Sequence, residues 1–422
     1  MESASSDEDT RRQNWEDIKK EEIRQAQAET LTNEDPDAAR RVERQVDRAL
    51  NREEKESAAA QATMGTPKDT KTPKEETREK EVELYASVRL HFIENFDADS
   101  NSMDVNFGDG ASRIGASGIW QIARDRSLFG RLEMGFNVLD SFTAKSQPEG
   151  SGKMETRLAY AGVESESLSV TIGKSYSAYY AVAGDSDRFT IFGGDASGVY
   201  NAGTDGGATG TGRADEALKA ELYLDPNGLL TIKPFNVTVQ YQSSQPIPHA
   251  AGQDYGYSLS TSTWLENDSG VGVGLAVHRS TIDNPESAAL KAAGIDGDAT
   301  AVALALRTYG DKWLASLVLN KQKNIETTNE QLYINATGAE LFTQWQVLDK
   351  VWLIGGGNWL FPEKDDPDAG DYVLKYGVLG VRYTLDSFRR MIYIEWRDDH
   401  GRLANGQQKK SEVTIGIRWD LG

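Results

Sequence analysis

A chain of 422 residues exceeds the usual size of one solid core, so it is either several domains or a barrel that grows by adding strands. Hydrophobic residues make up 38%, mean hydropathy is -0.56, and no run of about 18 apolar residues occurs. That excludes a membrane helix but not a spanning barrel, whose strands show lipid only every second residue. A formal charge of -20 argues against a nucleic-acid partner, and the absence of cysteine removes disulfides, Cys-based metal sites and thiol nucleophiles.

The chain opens Met1, Glu2, Ser3, Ala4 without the basic and then apolar segments of a signal peptide. Since a barrel must be exported, a processed or recloned form is expected. Residues 1–80 are rich in Glu, Lys, Arg, Asp, Gln and Ala, with the first glycine at Gly65. Trp15, Ile18 and Ile23 form one sparse apolar stripe; Val42, Val46 and Leu50 form another, beyond the break at Asp35-Pro36-Asp37. Two short amphipathic helices and a linker over 66–81 are expected. Such a segment is either a solvated, partly disordered tail, a coiled coil, or an arm that binds the cell wall.

From Glu81 onward the period becomes two. Val82, Leu84, Ala86, Val88, Leu90 and Phe92 alternate with Glu83, Tyr85, Ser87, Arg89 and His91. Leu128, Leu132, Met134, Phe136 and Val138 alternate in the same way with Arg131, Glu133 and Asn137, and Phe235, Val237, Val239 and Tyr241 with Asn236, Thr238 and Gln240. One face of each strand is apolar and the other polar, as a barrel in lipid around a watery lumen requires. Strands are predicted near 82–92, 112–123, 128–138, 154–164, 167–174, 214–224, 233–243, 255–264, 270–279, 300–309, 312–321, 337–347, 350–360, 372–383, 391–398 and 411–421. The fold class is therefore all-β, a transmembrane antiparallel barrel of about sixteen strands over 81–422, preceded by the charged helical or disordered extension. On this alternation Arg89, Arg113, Arg131, Glu133, Glu155 and Arg157 face the lumen. Charge exchange at Glu133 is expected to cost little, and a charge at Leu132 much. The polar stretch of roughly 35 residues at 177–212 is far longer than an ordinary connection and marks a functional loop.

Several segments resemble, in order, the trimeric sixteen-stranded general porins of Gram-negative outer membranes. They are Leu84-Tyr85-Ala86, Ser112 to Gly115, Arg131 to Phe136, Thr156 to Val163, Thr171 to Tyr180 and Tyr383 to Trp396. The most specific is Phe192-Gly193-Gly194-Asp195. In that family this motif sits on a third loop that folds into the barrel and narrows it. The resemblance implies a passive channel with basic wall positions at Arg113, Arg157 and Arg213, and an acid at Asp187 on the loop, joined by Asp185 and Asp195. Departures are Ile191 where the family often carries glutamate, Ser87 where it carries a base, and Leu421 where the final aromatic belongs.

The resemblance further implies a homotrimer in the outer membrane, surrounded by lipid and lipopolysaccharide and recognised by the barrel assembly machinery through Trp419 and Leu421. It leaves residues 1–80 in the periplasm, where peptidoglycan is the expected partner. No cofactor and no metal are expected: His91, His249, His278 and His400 are too far apart for a local zinc pair. Modest cation selectivity follows from the acidic composition. A structural barrel tethering the envelope through 1–80, and a barrel enzyme, stay open as rivals, although no Gly-x-Ser-x-Gly nucleophile motif occurs.

Overall fold

The computed structural model describes residues 80–96, 104–123, 125–139, 154–224, 235–267, 269–364 and 366–421. The chain divides into Met1–Thr77 and Arg78–Gly422. The expectations for the N-terminal helices, linker and cell-wall arm lie outside the described residues.

Among the described residues, seventeen antiparallel segments form one sheet. They are β1 (Lys80–Phe96), β2 (Asp104–Asp109), β3 (Arg113–Ala123), β4 (Arg126–Gly135), β5 (Glu155–Ser165), β6 (Leu168–Tyr176), β7 (Arg213–Leu224), β8 (Phe235–Gln242) and β9 (Tyr255–Glu266). They continue as β10 (Val271–Ile282), β11 (Ala299–Gly310), β12 (Trp313–Thr327), β13 (Tyr333–Leu348), β14 (Val351–Pro362), β15 (Leu374–Ser387), β16 (Arg390–Asp399) and β17 (Ser411–Leu421). Each segment pairs with the next in sequence except β2 and β3, which both pair with β1, and β1 closes the ring on β17 from Ala86↔Leu421 to Phe96↔Ser411. Closure leaves no edge strand to seek a partner in lipid.

The barrel has sixteen courses rather than seventeen, because β2 and β3 together run beside β1. Leu90 to Asn95 pair with β2, and Lys80 to Ser87 pair with β3. The break between them is a kink at Gly110 to Ser112, where Ala111 takes φ 67°. Sequence alternation did not mark β2, which is only six residues long. It also overran β4: Phe136 and Val138 lie past its end at Gly135.

Connections alternate in length. Those from β5 to β6, β11 to β12, β13 to β14 and β15 to β16 are tight turns, whereas the opposite end carries the long loops, including a short helix α1 (Tyr180–Ala183) and another, α2 (Ala288–Ala292). Chain entry at Lys80 and the last strand residue, Leu421, share the short-turn end. Outward side chains make the apolar belt: Leu84 is 74% exposed, Leu132 51% and Ile172 63%. Exposed aromatics flank that belt at both ends, Trp120, Trp313, Trp345, Tyr383 and Trp419 toward the short turns, and Phe92, Phe107, Tyr241, Tyr257 and Phe361 toward the long loops. Rings at these two levels sit where lipid meets water.

Candidate functional site

Residues 177–212, between β6 and β7, turn into the barrel and lie against its inner wall. The barrel's core is therefore partly the loop itself. Tyr179, Val182, Ala183 and Val199 of the loop are buried against Ala276, Ala299, Ala301, Ala303 and Ala305. Alanine at every inward position of the first half of β11 leaves room for a helix turn to sit on the wall. Trp264 on β9 donates its indole N–H to the carbonyl of Ala181 at 2.7 Å. On the other side, Phe189 and Phe192 pack with Phe342 and Tyr376.

The polar seat is more specific. Glu340 on β13 accepts the backbone N–H groups of Ala196 and Ser197 with Oε1 at 2.7 and 2.8 Å, and the Ser186 hydroxyl with Oε2 at 2.7 Å. Glu395 on β16 accepts the N–H groups of Thr190 and Ile191 at 2.7 and 3.1 Å. Glu326 on β12 accepts the Ala202 N–H at 3.0 Å. Arg382 donates to the carbonyl of Arg188 at 2.6 Å, while Asn320 and Gln322 donate to that of Ala196. A loop without regular structure has unpaired backbone groups, and inside a barrel these must be satisfied. Here the wall satisfies them with carboxylates on the N–H side and amides or guanidinium on the carbonyl side. Sequence reading did not find Glu326, Glu340, Glu395 or Arg382. For Glu326, Glu340 and Arg382 the available signal was a charge at an inward position of an otherwise neutral strand face, whereas Glu395 shares its face with Arg397 and Asp399.

The positions expected from sequence fall into distinct groups. Arg113, Arg131 and Arg157 converge on Glu133, at 3.6, 2.8 and 2.9 Å. Tyr85 adds its hydroxyl to the same carboxylate at 2.9 Å, and Glu133 is 1% exposed. Arg89 is buried nearby on β1, its Nε bonded to the Ser87 hydroxyl. This is the basic side of the lumen, spread over β1, β3, β4 and β5.

Arg157 joins it at the point where the alternation of β5 breaks. The register of β4 with β5 slips between Glu133↔Leu158 and Met134↔Thr156, so Arg157 has no partner in the ladder and turns inward at the bulge. Beyond it the inward residues of β5 are even, Leu158 and Glu164 both buried. Glu155, which alternation assigned to the lumen, stands opposite Gly135 in the register, on the face of Arg113 and Glu133, and is exposed at the strand's start, before the odd set changes face at that slip. Arg213 begins β7, next to Asp205 of the loop at 3.4 Å and over the Tyr200 ring at 5.7 Å.

The loop acids differ from one another. Asp185 bonds Arg307 and Arg188 at 2.8 Å and the Ser316 hydroxyl at 2.6 Å. Burial alone would raise its carboxyl; the two guanidinium groups outweigh that and hold it well below the ordinary carboxylate range. Asp185 thus ties the loop to β11 and β12. Asp187 is buried, with the Tyr180 hydroxyl 3.4 Å away, and lies beneath Gly194. The paired glycines take φ 113° and 72°, and a Cβ at Gly194 would meet Asp187 and Tyr200 at 2.9 Å. The turn at Gly193-Gly194 brings Asp195 back to water. Asp195 is the one exposed acid in residues 177–212, with its N–H on Asn358 and its Oδ2 accepting the Tyr376 hydroxyl at 2.7 Å. Desolvation by the surrounding wall raises its carboxyl above the usual range, against the lowering effects of the Tyr376 hydrogen bond and the Arg397 charge.

A closed antiparallel barrel with an apolar belt outside, charges inside and one loop seated in its lumen is a membrane channel. A family model for Gram-negative porins matches residues 56–422, and the chain belongs to that family. It is an outer-membrane porin, a channel protein rather than an enzyme. Among curated relatives, the outer membrane porin PhoE of Klebsiella pneumoniae is 26% identical over 269 residues, covering 62% of this chain and 67% of that one. Among solved structures, the Salmonella typhi OmpF complex with daunomycin superposes with TM-score 0.64 at 17% identity, over 81% of this chain and 97% of that one. An anion-selective porin from Comamonas acidovorans gives TM-score 0.62 at 14% identity, over 81% and 100%.

Proposed function

We propose that this porin passes small hydrophilic solutes and ions by diffusion, with a modest preference for cations, and works as a homotrimer. The carrying observation is the loop at 177–212, seated inside the barrel and presenting an exposed carboxylate at Asp195 in a lumen whose other wall carries Arg113, Arg131 and Arg157. Such a constriction transmits by replacing lipid with water and sorts by width and fixed charge. The acidic loops at the outer mouth add a negative vestibule potential, which favours cations over a mixed-sign constriction.

The trimer is supported by the outer wall of β3, β4 and β5. There Ala116 registers with Leu132 and Ala159, and Gly118 with Gly130 and Ala161, giving a low patch on which a second barrel can lie close. The remainder of the belt meets outer-leaflet lipid, lipopolysaccharide included. The assembly machinery reads the last strand through Trp419 and Leu421. Residues 1–80 belong to the periplasm, where peptidoglycan is their partner.

Purified chain in planar bilayers should give ohmic steps in groups of three, with reversal potentials in a salt gradient on the cation side. A silent membrane would overturn the channel reading and leave a structural tether in its place. An anion-side reversal would overturn the selectivity alone.

A further inference from the structure

We infer that Asp195, rather than Asp187, is the acid that selects ions, and that it works against Arg397 on the β15–β16 side of the lumen. This deepens the porin reading above and rests on it. Three observations converge.

The first is exposure. Of the four acids in 177–212, Asp185 is consumed by Arg307 and Arg188, Asp205 sits between Lys174 and Arg213, and Asp187 is buried under the Gly193-Gly194 turn. Asp195 alone is exposed. An ion in the lumen meets its charge without protein in between.

The second is fixation. The Tyr376 hydroxyl accepts from the Gly193 N–H at 3.2 Å and donates to Asp195 Oδ2 at 2.7 Å, while Asn358 holds the Asp195 N–H. One oxygen is anchored and the other is left for a passing ion. A fixed charge costs no reorganisation when the ion arrives.

The third is the counter-charge. Arg397 lies over the rings of Phe192 and Tyr376 at 5.0 and 5.4 Å, so the residue that opens the Phe-Gly-Gly-Asp turn and the residue that holds its aspartate both seat the same guanidinium. Glu412 binds it at 2.8 Å and Asp399 at 3.4 Å. Asp195, Asp399 and Glu412 gather around Arg397, Lys409 acts on the same Asp195 carboxylate, and Glu326 and Glu340 lie within reach of its charge. The surroundings are more acidic than basic, which suits monovalent cations and ammonium-bearing solutes.

The test is a set of reversal potentials in a potassium chloride gradient across planar bilayers. Asp195→Asn should lower the cation-to-anion permeability ratio about two- to threefold, the effect of one unit charge near an ion in water. Arg397→Gln should raise it, and Asp187→Asn should change it less than either. The chain has no cysteine, so Asp195→Cys gives a single thiol. Open channels should react with a membrane-impermeant sulfonated thiol reagent, which returns the negative charge and the lost selectivity. Persisting conductance steps with a ratio unmoved by Asp195→Asn, or moved more by Asp187→Asn, overturn the inference while leaving the channel intact. A thiol that does not react overturns it as well. Loss of steps in the unsubstituted protein overturns the porin reading instead.

Discussion

The lumen has two walls that spend their charges differently. On β1 to β5, arginines gather on a single side-chain carboxylate, Glu133, and the cluster closes on itself. On β12 to β16, carboxylates point at backbone N–H groups of the loop, and their partners belong to another part of the chain. The first wall makes a field; the second makes a seat. Inward charge in a barrel therefore has two uses, and only the partner tells them apart.

The largest effect is expected on the seating wall. Glu340→Leu strands the N–H groups of Ala196 and Ser197 and the Ser186 hydroxyl together, and should cost about 3–5 kcal/mol, the range for breaking a buried charged contact. Urea titration and a rise in open-channel noise would register it. A quiet, equally stable channel would mean that the loop does not depend on this carboxylate.

Next comes the contrast of outside and inside on β4. Leu132→Arg puts a charge into the apolar belt and should cost about 2–4 kcal/mol near mid-bilayer in a folding titration. The adjacent position is not the harmless site that alternation alone predicts. Glu133→Gln leaves three guanidinium groups without their shared anion, for about 1–3 kcal/mol, and should push permeability toward anions. If stability is unchanged there while selectivity moves, the arginine wall is solvated more than its burial implies.

The smallest effect carries no stability change. Because the Asp195 carboxyl is held above the ordinary range, acidification neutralises it before ordinary surface carboxylates. Cation preference should fall at a pH where those groups are still charged, and Asp195→Asn should flatten that step. Reversal potentials taken across a pH series check both.

Much of the barrel was legible in the sequence because period-two alternation reports which face meets lipid, and lipid tolerates few exceptions. All sixteen predicted strands have counterparts, and the loop at 177–212 is bounded by Tyr176 and Arg213. What alternation cannot see is a change of phase: at the slip between Glu133 and Met134 the inward set of β5 passes from odd, as at Arg157, to even, as at Leu158 and Glu164. The site was less legible. Phe192, Gly193 and Gly194 mark the turn, but which of three nearby aspartates meets water depends on the fold of the loop and on Arg307, Tyr376 and Arg382, more than a hundred positions away. Local spacing holds no record of such contacts.

The seating wall grips peptide groups, which every residue except proline supplies alike. Glu340 and Glu395 would hold residues 190, 191, 196 and 197 in the same place whatever side chains those positions carried. Substitutions that recharge or reshape the narrow passage can therefore accumulate on a loop that stays where it is, and one scaffold can be refitted for a different solute without being rebuilt.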